Sequence, residues 1–298
     1  MEITNNLQDD IINAPSWFKE AIGKLPTNHI LENTLGDVSY SKWNSEDNNE
    51  NLIILIHGTG AHKKWWDPIA PQLTQESNVI AVDLPGMGES GFREKYSIKD
   101  FGDAIVEIIE KEKEEKGFKN IYLVGHSLGG QVAGYVASEN QDLVTSLILI
   151  DTFIRPPGYD YESGTGGGGP LRMIKHYPDK LSILNRFRLM PKQECSNDWF
   201  MRYIAEHSVK ENSEGWRWRF DDLMFKSLER LFGYEFSFTC PALFVHGEQS
   251  LLTSGKILEH IITTYSDSMD FIGVPDAAHH VPLDKPLEIV AIIKKRLF

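Results

Sequence analysis

Residues 121–129 read Ile-Tyr-Leu-Val-Gly-His-Ser-Leu-Gly, a short apolar run that ends in a glycine-flanked serine. From Leu128 to Glu139 the apolar residues then recur at helical spacing. Strand, tight turn and helix in that order are the setting a G-x-S-x-G elbow requires. The turn leaves no room for side chains two residues before and after the serine, hence Gly125 and Gly129. It lifts the Ser127 hydroxyl to the C-terminal edge of a sheet, at the positive end of a helix dipole. A glycine-rich turn with an idle serine has the same five residues. The strand before it and the helix after it favour the nucleophile.

Working outward, similar runs rich in Ile, Val and Leu lie at Leu52–Ile56, Val79–Val82, Leu147–Ile150 and Ala242–Val245. They are nearly continuous rather than alternating, as expected for strands buried on both faces of a parallel sheet. Helical patterns separate them at Ile98–Lys116, Leu128–Glu139, Lys256–Tyr265 and Leu287–Leu297. The alternation predicts an α/β sheet with helices on both faces, entered by a short antiparallel stretch around Val38–Trp43. The pattern breaks between Asp151 and Thr239, a span with Pro156, Pro157 and the glycine run 163–169. We expect a core made of residues 1–151 and 240–298, with a helical cap over 152–239. The glycine run reads as a hinge or gate, or as a passive linker.

The chain has 298 residues, 41% of them apolar, and a formal net charge of −13. That is enough apolar material for a sizeable core. An acidic chain has no field to attract phosphate backbones or anionic lipid, so nucleic-acid and membrane-surface roles are disfavoured. Two cysteines, Cys195 and Cys240, cannot form a disulfide framework. The first ten residues lack the layout of a signal peptide, and no run approaches the ~18 apolar residues of a membrane span. A soluble, cytoplasmic protein is expected.

Three further loops are candidates for chemistry. His57-Gly58-Thr59-Gly60 follows a strand and has little side-chain bulk, so its N–H groups can face a developing oxyanion; Thr59 and Leu128 are the natural pair of donors. Asp83-Leu-Pro-Gly86-Met-Gly88-Glu-Ser90 has glycines but neither nucleotide-binding pattern, so no phosphate loop is expected. Near the end, residues 275–286 (PDAAHHVPLDKP) offer His279 and His280 on a loop that can reach Ser127. No metal-ligand motif is present, and neither metal nor cofactor is expected.

Together, HGTG, DLPGMGES, GHSLGG and AAHHVPLDKP resemble the α/β-hydrolase family over nearly the whole chain. The resemblance implies an eight-stranded, mostly parallel sheet, a helical cap after strand six and acyl-enzyme chemistry without cofactor. In the family the catalytic histidine stands seven residues before the proline of the last motif, which selects His279 before Pro286. The stretches RFRLMP, IAEHS and GWRWRF are similar to a bacterial subgroup of cap-bearing hydrolases. One departure stands out. Where the family has G-x-x-D after the strand Ala242–Val245, this chain has Gly247-Glu248-Gln249-Ser250. A group of haloalkane dehalogenases places the acid one strand earlier, and residues 150–157 (IDTFIRPP) are similar to their segment. The acid is therefore expected at Asp151, with Glu248 the alternative; Asp151 also reads as a plain turn residue.

The expected activity is hydrolysis of a small carboxylic ester, thioester or lactone by Ser127, His279 and Asp151. Alternatives are a carbon–carbon bond hydrolase or acyltransferase with the same residues, or a ligand-binding relative with little turnover. Trp65, Trp66, Phe153, Trp199, Trp216 and Trp218 are candidate pocket walls, although aromatic residues more often serve a core. Arg155, Arg172, Arg186 and Arg188 lie in the cap, as solvated or internally paired charges or as partners for an anionic substrate group.

Overall fold

A computed structural model describes residues 3–45, 49–156, 175–231 and 234–298. Eight strands form one sheet: β1 (Thr27–Leu31), β2 (Val38–Trp43), β3 (Asn51–Ile56), β4 (Asn78–Val82), β5 (Asn120–His126), β6 (Ser146–Ile150), β7 (Ala242–Gly247) and β8 (Met269–Val274). Their spatial order is β1-β2-β4-β3-β5-β6-β7-β8. The β2 strand runs antiparallel to both neighbours and every other pairing is parallel.

The continuous apolar runs are explained by two-sided burial. Along β3, Leu52, Ile54 and Ile56 face one core cluster, while Ile53 and Leu55 face the other. Removing such a side chain from water contributes roughly 1.5–3 kcal/mol. The first cluster is covered by α1 (Ile98–Lys116) and α2 (Leu128–Glu139), the second by the C-terminal helix Pro286–Leu297. Ser97 caps α1 by accepting from Asp100 N–H, and Gly117 ends it in the left-handed region at φ 73°.

Between β6 and β7 the described residues are mixed rather than helical. They comprise helices Lys180–Leu184 and Asp198–His207, an antiparallel hairpin of Val209–Asn212 with Gly215–Trp218, and the short helix Met224–Ser227. The alternation KENSEGWRW favours a hairpin because Gly215 takes φ 116° at its turn, a conformation that side-chain-bearing residues rarely adopt. The glycine run 163–169 and Arg172 lie outside the described residues.

This insertion is bonded to the sheet unit at several points. Leu228–Glu229 pairs in parallel with Tyr96–Ser97, Tyr96 Oη donates to Asp221 Oδ2 at 2.6 Å, and Asp221 N–H donates to Gly86 O at 2.7 Å. Met224 and Phe236 are buried in the first core cluster. The N-terminal helix Ser16–Gly23 also joins it: Phe18 packs on Trp199, Phe200 and Tyr203. The buried Arg202 donates to Asp10 at 2.7 Å and to Glu206 at 2.9 Å.

Candidate active site

The turn after β5 is forced by backbone crowding. A Cβ on Gly125 would lie 2.2 Å from Gly129 O, and one on Gly129 would lie 2.2 Å from Ile56 O. Between them Ser127 takes φ 54°, and its N–H donates to Ile150 O at 2.9 Å. Strain of that sort costs of order 1–3 kcal/mol and holds the hydroxyl clear of the strand. The HGTG loop lies directly against this turn, because a Cβ on Gly58 would fall 3.2 Å from Ser127 Cβ. His57 orders that loop: Nδ1 donates to Gly58 O at 2.7 Å, and Nε2 accepts from Leu84 N–H at 3.1 Å. Its burial pushes the imidazole pKa down and keeps the ring neutral.

Asp151 follows the last residue of β6 and is completely buried, with φ 43°. Its Oδ1 accepts from His279 Nδ1 at 2.8 Å and from Ser250 Oγ at 2.7 Å. Its Oδ2 accepts from Gly247 N–H at 2.9 Å and Thr253 Oγ1 at 2.8 Å. Four donors thus converge on this one carboxylate and satisfy both of its oxygens. Glu248, the other candidate, is exposed; its carboxylate lies over Gly273, and it has no bond to His279 among the described residues. Parallel pairing of β6 and β7, with Val245 opposite Ile150, brings Asp151 beside the loop on which Ser250 stands.

His126, between the elbow glycine and serine, is buried, and its Nε2 donates to the backbone carbonyl of His279 at 2.9 Å. Burial, then the neighbouring His279, push the His126 pKa down to about 3. Burial likewise lowers that of His280, whose two ring nitrogens have no hydrogen-bond partner among the described residues. His126, His279 and His280 offer ring nitrogens within 4.8 Å of one another. Sequence spacing conceals this group, since only two of its members are adjacent.

A cavity of about 550 Å³ opens above these residues and is lined by Ser127, His279, Thr59, Leu128 and His280. Of the six aromatic residues expected in its wall, Trp65, Phe153 and Trp218 line it. The other three expectations are corrected. Trp66 is packed under the sheet with Ile53 and Leu55, Trp199 sits in the Phe18 cluster, and Trp216 packs against Ala205 and Val209 of the insertion. Each found an apolar surface to bury elsewhere. Sequence reading missed Phe187, Met190, Phe220 and Arg230, which also line the cavity. In the glycine loop after β4, a Cβ on Gly88 would collide with the Asp83 carboxylate at 2.2 Å, and that carboxylate accepts from Lys63 and Glu89 N–H.

A family model described as alpha/beta hydrolase fold matches residues 51–286. The pimeloyl-[acyl-carrier protein] methyl ester esterase of Neisseria meningitidis is 36% identical over 123 residues, which is 41% of this chain and 45% of that protein. The match therefore spans less than half of that relative. Esterase Rv0045c of Mycobacterium tuberculosis is 23% identical over 266 residues, covering 87% of this chain and 86% of that one. Among solved structures, a thioesterase domain from the curacin biosynthetic pathway superposes with a TM-score of 0.72 at 22% identity, over 90% of this chain and 99% of its own. E-2-(acetamidomethylene)succinate hydrolase gives 0.71 at 21% identity, over 91% and 99%. No helix among the described residues is long and apolar enough to cross a membrane.

Proposed function

The chain belongs to the alpha/beta-hydrolase fold family, and from that membership and the site's geometry we infer that it is a serine hydrolase cleaving a carboxylic ester, thioester or lactone. Ser127 Oγ attacks the acyl carbonyl while His279 Nε2 takes its proton. His279 returns the proton to the leaving group, and water releases the acyl-enzyme by the same route. Asp151 holds the Nδ1–H tautomer and stabilises the imidazolium as it forms. The N–H groups of Thr59 and Leu128 receive the oxyanion, where preorganised donors are worth most.

The observation that carries this reading is the 2.8 Å bond from His279 Nδ1 to Asp151, under a cavity that Ser127, Thr59 and Leu128 share. The alternative, a low-turnover binding protein, rests on the missing family aspartate; the buried Asp151 carboxylate bonded to His279 supports the hydrolase instead. The test is hydrolysis of p-nitrophenyl butyrate and labelling by a fluorophosphonate probe. Ser127→Ala should lose both while staying folded. Undiminished turnover in that variant would sink the proposal.

A further inference from the structure

The arginines divide into two groups. Arg93, Arg202, Arg217, Arg219 and Arg296 each donate to a carboxylate or a backbone carbonyl. Arg188 donates to the carbonyls of Asn185 and Phe187, and Arg155 is engaged as well. Arg186 and Arg230 are the two described arginines with no such bond, and both line the large cavity. No Asp or Glu lines that cavity among the described residues. In a chain with 43 acidic residues against 30 basic ones, a wall with arginines and no carboxylate departs from the composition.

Arg230 is half-buried and also faces a smaller cavity behind Gln131 and Phe153. Taking a guanidinium partly out of water without a counter-charge is unfavourable, and an incoming oxyanion removes that cost. The planar fork of a guanidinium suits carboxylate or phosphate oxygens. The rest of the wall, with Leu189, Trp218, Phe220 and Phe225, is apolar and fits a hydrocarbon spacer. Arg186 and Arg230 both come from the insertion, whereas Ser127, Asp151 and His279 come from the sheet and its loops. Selection and reaction thus have separate structural origins.

We propose that the cavity selects acyl substrates whose non-reacting part ends in an anionic group, a carboxylate or a phosphate, received by Arg186 and Arg230. The proposal rests on Ser127 as nucleophile for the position of the scissile bond, and on the arginines alone for the anion.

The test compares three p-nitrophenyl esters: that of hexanoic acid, the hemiester of adipic acid, and that of 6-phosphonohexanoic acid. The first is neutral, and the other two separate carboxylate from phosphate-like recognition. At least one anionic ester should have a kcat/KM ten-fold or more above the neutral one, mainly through KM. In the Arg186→Gln/Arg230→Gln double variant that preference should fall below about three-fold, and 0.5 M NaCl should weaken it in the native chain. Calorimetric binding of adipic acid monoanilide against hexananilide gives a readout that needs no hydrolysis, with the same preference expected. Equal handling of neutral and anionic compounds, or a preference that survives in the double variant, overturns the assignment. Preferential binding of the anionic anilide with no hydrolysis of any ester overturns the serine-hydrolase reading and leaves the arginine assignment standing.

Discussion

Ser250 donates its hydroxyl to Asp151 Oδ1 at 2.7 Å. The residue at the position where the family usually has its acid thus donates to a carboxylate carried at the end of the neighbouring strand. Both side chains are buried, and His279 shares the same carboxylate oxygen at 2.8 Å. The carboxylate that His279 meets therefore stands at the end of the strand next to the one that leads to Ser250.

Asp151→Asn should lower kcat on an activated ester by several hundred-fold or more, because an amide neither carries charge nor fixes the histidine tautomer. Glu248→Gln should cost less than about ten-fold, since Glu248 is exposed and lies over Gly273. The comparison is made on folded variants with one substrate. The reverse order would return the acid to Glu248.

Returning the carboxylate to position 250 should rescue activity. The double variant Asp151→Asn/Ser250→Asp is expected to exceed Asp151→Asn by at least ten-fold in kcat. Ser250→Asp alone should be markedly unstable, because two buried carboxylates then face each other. Its melting temperature and the kcat of the double variant check both parts. A double variant no faster than Asp151→Asn would mean that His279 cannot be reached from position 250.

His126→Phe keeps a ring beside His279 but leaves the His279 carbonyl without its 2.9 Å donor. A lost bond to a buried carbonyl costs about 1–3 kcal/mol. We expect kcat to fall roughly ten-fold with KM little changed, through displacement of the histidine loop. A fall in KM-dependent binding alone would instead place His126 in substrate contact.

Asp67 gives a pH-dependent signature in stability. It is buried, accepts from Tyr203 Oη at 2.6 Å, and burial pushes its pKa up to about 6. A pKa raised on folding favours the neutral acid, so this contribution is full below about pH 4 and is lost as pH rises through 6. Asp67→Asn keeps the acceptor without the charge. It should stabilise the fold at pH 7.5 by of order 2 kcal/mol and do little at pH 4. Melting temperatures at the two pH values decide it; destabilisation at pH 7.5 would show that the ion contact with Lys64 Nζ, 3.8 Å from Oδ2, outweighs burial.

The sheet was legible because its strands are buried on both faces, so each left an unbroken apolar run. The elbow was legible because crowding at Gly125 and Gly129 leaves no other residue type. That Asp151 and His279 meet follows from strand order, which sequence implied only through the family resemblance. The insertion was read less well. Its hairpin and short helices are held by contacts remote in sequence, such as Trp216 with Tyr177, which periodicity cannot register. Trp66 and Trp199 were misplaced for the same reason, since an apolar ring carries no label for the surface it will cover. Arg230 was missed because what distinguishes it is the lack of a hydrogen-bond partner among the described residues.

The bonds that join the insertion to the sheet unit limit how the protein can be re-engineered. Tyr96 and Gly86 belong to loops of the sheet unit, yet they hold Asp221, and the insertion's Met224 fills the core beneath. A chimaera that exchanges residues 152–239 for those of a relative would therefore leave a hole in the core and a severed two-strand pair. The transplantable unit is larger than the inserted sequence. It includes the Gly86–Ser97 loop, so any change of selectivity by segment exchange has to carry both pieces together.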